Sequence, residues 1–293
     1  MAADIAKLLD GIDWQGKKVR RGKATDLRDA LAVLADASRS DDDKRLQLMR
    51  ISERIIETGP VFTGAAAMAP AAVVVLERLP LEHAARLAET LVLALCNGDQ
   101  AANALGIPRH PEHAKRYGKG AGKVMLDAVR TCGDVALRLV ASTIETERRS
   151  GILLLAYTTD SDAARAALRV IATDDENPLL RAAAAWVLAT KRDLEDVVVD
   201  HVRDAIGEVG APLVAAIRVV RDGEAASDAD VAACGITPAL TKLADDRTFP
   251  FGGVGNMRSA TEAALRAVGP RGEARVSAIR AESLAAYNAM MGR

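Results

Sequence analysis

Apolar residues return along most of this chain at spacings of three and four. Leu87, Leu91 and Leu95 make one such stripe, and Ala164, Ala167, Leu168 and Ile171 another. That period belongs to one face of an α-helix, not to the alternation of a half-buried strand. The stripes are cut by legible punctuation. Asn177 before Pro178 and Thr237 before Pro238 each put a side-chain acceptor ahead of a proline at the first helical position, where the missing N–H costs no intrahelical bond. Gly59–Pro60 and Asn97–Gly98 read as helix ends, because glycine and asparagine tolerate the left-handed residue that closes a helix. The pattern predicts helices near 26–36, 43–57, 61–78, 82–96, 121–142, 145–156, 161–172, 178–190, 194–207, 211–221, 228–243, 257–268 and 271–290.

Short helices in repeated pairs are the mark of a helical solenoid, in which each pair covers the apolar faces of its neighbours. Two internal echoes agree. SDAARAAL begins at Ser161 and SDADVAAC at Ser227, 66 residues on, or two units of 33. DDENPLLRAAAAWVLA (174–189) and DDRTFPFGGVGNMRSATEAALRAVG (245–269) share paired aspartates, a proline, an arginine and an alanine-rich run. The arginine follows the second aspartate by 6 residues in the first copy and by 12 in the second, so the later copy carries six added residues in its turn.

Asp-x-x-Pro-x-x-Arg before an alanine-rich helix resembles the HEAT-repeat signature. Asp175, Pro178 and Arg181 match it, as do Asp246, Pro250 and Arg258 once the insertion is allowed for. The first third is similar to a group of bacterial HEAT-like proteins. It has a Gly-x-Ala-x-Asp start at Gly22, Ala24 and Asp26, two following helices, an Ala-x-Ala-Pro element at Ala67, Ala69 and Pro70, and a closing Asn-Gly-Asp at 97–99. Where members of that group carry a His-Gln-Gly-Thr turn, this chain has Glu57-Thr58-Gly59-Pro60, so no role of that histidine carries over. The resemblance implies an all-α, right-handed solenoid of HEAT/armadillo-like pairs acting as a non-enzymatic interaction scaffold. Some members resemble immunity proteins encoded beside toxins. On this reading 1–293 is one solenoid, with 1–36 as amino-terminal cap region, 97–120 as a basic linker between repeats and 270–293 as the carboxy-terminal capping helix.

Composition supports the helical reading and says less about chemistry. Hydrophobic residues make up 49% of the chain but aromatics only 3%, and the alanine and leucine that dominate favour helix over strand. A formal net charge of −1 gives no overall attraction to nucleic acid or an anionic membrane. Cys96, Cys132 and Cys234 stand far apart and odd in number, which reads as small apolar filler in a reducing compartment. The amino terminus lacks a secretory pattern, and the longest apolar runs, 69–76 and 151–157, fall well short of the ~18–20 residues of a membrane span. A soluble cytoplasmic protein is expected, with no membrane association and no cofactor.

The candidate sites each carry a plainer alternative. Phe249 and Phe251 flank Pro250 ahead of glycines 252, 253 and 255, but the spacing fits neither G-x-G-x-x-G nor a P-loop. The loop is either a packed turn insertion or a partner contact with aromatic anchors. The run 109–123 gathers Arg109, His110, Lys115, Arg116, Tyr117 and Lys119. It is either a solvated linker or a contact segment, and with the basic run 17–23 it makes nucleic-acid binding or base repair the alternative to a protein partner. His110 and His113 have a spacing compatible with zinc, but Pro111 lies between them and no third ligand is evident. Arg181 and Arg258 read as repeat arginines that bond turn carbonyls or aspartates, with anion clamping as the alternative. No nucleophile stands beside a base in a known motif: His83, His110, His113 and His201 occupy unrelated contexts. Fold analogy alone adds a third reading, a lyase or chaperone for a tetrapyrrole.

Overall fold

The computed structural model describes residues 2–57, 59, 61–97, 99, 102–103, 106, 115, 119–243 and 254–291. Among these there is no strand, and the chain is all-helical. It divides into two compact units, Met1–Ala167 and Leu168–Arg293, with the boundary inside a helix.

The first unit holds α1 (Ala2–Asp10), α2 (Thr25–Ala35), α3 (Asp41–Ile55), α4 (Thr63–Leu76), α5 (Leu81–Cys96), α6 (Gly120–Arg130), α7 (Gly133–Val140) and α8 (Glu145–Leu155). Two of them show their local signals plainly. Ser40 Oγ accepts from the Asp43 N–H at the head of α3, and Asp41, Asp42 and Asp43 fill its first turn, where the helix dipole favours anions. Asn97 closes α5 in the left-handed conformation, as its place in the sequence predicts. The amphipathic α2 turns Leu27, Ala30, Leu31 and Leu34 inward. By contrast α4, TGAAAMAPAAVVVL, is apolar all round and is buried over most of its length, as suits a central helix.

Packing in this unit follows two rows. In one, α2 packs on α4 and α4 on α6; in the other, α3 packs on α5 and α5 on α7 and α8. Rungs join them: α2 with α3, α4 with α5, α5 with α6. The rows keep the core along the middle, with Leu31, Ile51, Met68, Leu76 and Leu87 fully buried.

The boundary helix α9 (Asp162–Asp174) leads to α10 (Pro178–Thr190), α11 (Asp196–Ile206), α12 (Ala211–Asp222), α13 (Asp228–Ala233), α14 (Pro238–Leu243), α15 (Val254–Arg266) and α16 (Pro270–Met290). Here α10 packs on α12 and α12 on α15, with α11 and α13 also against α12 and α16 against α13 and α15. Ala182 to Ala189 of α10 are buried without interruption, and Trp186 among them is fully enclosed, so it is core. The two serines of the SDAARAAL and SDADVAAC echoes do the same job: Ser161 accepts from the Ala164 N–H and Ser227 from the Asp230 N–H, each at a helix start.

The structure corrects three details. The helix expected over 121–142 is two, α6 and α7, broken where the Thr131 hydroxyl donates to the Ala128 carbonyl and Gly133 follows. The helix expected over 228–243 is also two. Thr237 Oγ1 accepts from the Leu240 N–H, so the cap that the sequence displays starts a new helix there instead of lying within one. An additional helix, α1, precedes the first expected one.

Candidate functional site

In the first unit α3, α5 and α8 pack in a row that carries exposed apolar residues and charged pairs between neighbouring helices. Leu46 and Met49 of α3 stand exposed, Met49 by 53%. Beside them Arg45 donates to Glu82 of α5 through both Nε and Nη2, at 3.2 and 3.0 Å, and Arg86 approaches the same carboxylate at 3.8 Å. Further along, Arg149 of α8 pairs with Glu89 of α5 at 3.8 Å. Charged pairs thus bridge each step of the row, with an apolar patch at one end. Most of these groups are exposed, so the pairs order the surface more than they stabilise the fold.

Beneath that surface lies His83. The sequence shows it beside no catalytic motif; the structure buries it, with 1% of its surface accessible. Its Nε2 lies 2.9 Å from Asp41 Oδ1, tying the head of α5 to the head of α3, while Nδ1 has no hydrogen-bond partner among the described residues. This contact holds the Asp41 carboxyl below its usual range.

The second unit contains a hub that sequence reasoning missed. Glu262 of α15, with 10% of its side chain accessible, accepts from Arg258 at 3.4 Å, Arg266 at 3.1 Å and Arg280 of α16, whose Nε lies at 3.2 Å. Burial alone pushes this carboxyl up, but the guanidiniums of Arg280, Arg258 and Arg266 outweigh it and hold the group below its ordinary value. Arg258 also donates to Ser283 Oγ at 2.9 Å, so it joins α15 to α16. The spacing of Arg258, Glu262 and Arg266, each four apart on one helix, was the available signal.

The other predicted residues divide cleanly. Arg181 donates from Nε to the Asp175 backbone carbonyl at 2.5 Å, Asp175 Oδ1 accepts from the Asn177 N–H, and Asn177 caps α10 ahead of Pro178. These residues fasten the turn before α10. Lys115 and Lys119 are exposed, Lys119 at the head of α6. Phe249, Phe251, Arg109, His110, His113, Arg116, Tyr117 and Asp246 lie outside the described residues. Among the described residues no three His, Cys, Asp or Glu side chains come together to hold a metal ion, and no helix is long and apolar enough to cross a membrane.

All three cysteines are buried. Burial pushes each thiol up to about 12. Cys96 sits 3.3 Å from the Tyr157 hydroxyl, which donates to the Ala102 and Asn103 carbonyls, both at 2.6 Å. Compared with protein-family models, curated proteins and solved structures, the chain matches none.

Proposed function

We propose that this chain is a helical-repeat scaffold of HEAT-like pairs, forming a right-handed solenoid that binds another protein. The observation that carries the reading is the two-row packing of the first unit, α2–α4–α6 beside α3–α5–α8. A row of stacked helices presents a long, stiff surface whose side chains come from several repeats, which is how solenoids build binding faces. The outer side of α3–α5–α8 supplies what a protein contact needs: exposed Met49 and Leu46 as apolar anchors, rimmed by Arg45, Glu82 and Arg86. The HEAT-like repeat residues and the likeness to immunity-like proteins favour a protein, such as a toxin, as the occupant.

The test uses the full chain as bait in lysate of its native cell, followed by reconstitution of the purified pair under light scattering. A defined complex is expected, weakened at least tenfold by M49D or R86E, while R203E on the second unit leaves it intact. Failure to recover any protein at near-stoichiometric yield, or a complex indifferent to M49D and R86E, overturns the proposal.

A further inference from the structure

In the second unit α16 is firmly docked at its head and bare toward its end. Gly272 lets the head press on the end of α15, since a Cβ there would run into the Leu265 carbonyl. Arg271 Nη2 donates to the Glu224 and Ala226 carbonyls at 2.7 and 2.6 Å, and Arg275 Nε to the Cys234 carbonyl at 2.8 Å. Val276 and Ile279 follow on the buried face. The bond from Arg258 of α15 to Ser283 Oγ, at 2.9 Å, is the last of these side-chain ties among the described residues.

From Ser283 the helix runs on through SLAAYNAMM, 283–291, nine residues without a charge. No described side chain in this stretch is buried. Leu284 is 60% exposed, Tyr287 50% and Met291 49%. With Asn288 they fall at i, i+3, i+4 and i+7, so they share one face of the helix. Alanine, leucine and methionine hold the helical conformation well, but a helix this apolar on every side is ordinarily covered. The three large side chains and the alanines between them leave on the order of 400 Å² of apolar surface, a size at which the patches of monomers are often functional.

The chemistry of this face suits its own copy. Two copies related by a two-fold axis present the same patch to each other, so a net charge on it would meet the same net charge. The patch carries none, and the charges that flank it are neutralised within the chain: Arg280 by Glu262 at 2.5 Å and Glu282 by Arg275 at 2.8 Å. The Asn288 amide holds both donor and acceptor, so it is complementary to a second Asn288. A membrane surface instead selects an amphipathic helix with Lys and Arg on its polar face, and 283–291 contains neither. Joining two such patches with their rims removes about 1,000 Å², the lower bound of a specific interface, which calls for a weak dimer that dissociates on dilution.

We infer that two copies of this chain pair through the face of α16 that carries Leu284, Tyr287, Asn288 and Met291. The inference goes beyond the scaffold reading and uses none of the α3–α5–α8 residues, so either can fail alone.

Sedimentation velocity of the full chain over about 1 to 200 µM tests it, because the dimer fraction follows protomer concentration. The mass should climb from the 30.9 kDa of one chain toward twice that value. L284D/Y287D should raise the dissociation constant at least about tenfold, as loss of a central apolar anchor does, while R203E on α11 leaves it unchanged. Should circular dichroism show that the aspartates disturb the fold, L284Q/Y287Q carries the same test with a shift in the same direction. In N288C a short bismaleimide should link two copies, with no background from the buried Cys96, Cys132 and Cys234. A monomer at the highest concentration, a dimer that L284Q/Y287Q does not weaken, or N288C linking no faster than E208C overturns the inference. Co-sedimentation of such a monomer with phosphatidylcholine vesicles would assign the face to lipid instead.

Discussion

Gly151 offers a test in which two physical effects predict opposite signs. It lies inside α8, where helix propensity alone says that alanine should stabilise by about 1 kcal/mol. Packing says otherwise. A Cβ at Gly151 would meet Val140 N at 2.7 Å, Val140 Cγ1 at 2.7 Å and Leu139 Cβ at 2.9 Å, all at the end of α7. Only the Val140 methyl can rotate away; the other two are fixed by the backbone. Relief therefore requires α7 to retreat by some 0.7 Å before contact with Val140 N reaches the 3.4 Å of ordinary van der Waals separation. Because Leu139, Ile152 and Leu154 are fully buried around this crossing, the retreat opens gaps elsewhere in the core.

Overpacking of this kind costs about 1–3 kcal/mol, and the upper end applies where backbone meets side chain without a free rotamer. Subtracting the propensity gain leaves G151A destabilised by roughly 2 kcal/mol, a fall of about 4–8 °C in Tm for a unit of this size. Gly133 is the internal control. It opens α7 with nothing among the described residues within 4 Å of its would-be Cβ, so G133A should stay within about 0.5 kcal/mol of wild type, on the stabilising side. Thermal and urea unfolding by far-UV circular dichroism, with hydrogen exchange resolved to α7 and α8, measures both. If G151A is as stable as wild type or more so, the close crossing of α7 and α8 is wrong.

Other outcomes follow from the buried polar groups. Glu262 has a depressed folded-state pKa, so its contribution to stability is present above its ordinary value of 4.5 and lost as pH falls through the lower folded value. The stability gap between wild type and E262Q should therefore shrink in acid below that point, and a gap constant from neutral pH downward would refute the role of the hub. Y157F leaves the Ala102 and Asn103 carbonyls without their shared donor in a dry site, so it should cost about 1–3 kcal/mol in urea titrations. A variant equal to wild type would mean that water reaches those carbonyls. Cys96, Cys132 and Cys234, with thiols pushed up to about 12, should resist a disulfide reagent at mild alkaline pH until urea unfolds the chain, and prompt reaction of any of them in the native state would contradict its burial.

What the sequence disclosed, and what it hid, follows from the range of the interactions involved. Caps act over three or four residues, so Asn97 and Asn177–Pro178 could be recognised directly, whereas the serines at 161 and 227 showed in the sequence only as an internal echo. The breaks at 131–133 and 234–237 were missed although their signals are local too: Thr131 and Thr237 each compete for backbone groups, but apolar periodicity runs on across both and dominates a window of a dozen residues. His83 looked ordinary because its partner Asp41 is 42 residues away, and Arg280 looked unrelated to Glu262 because a helix turn separates them.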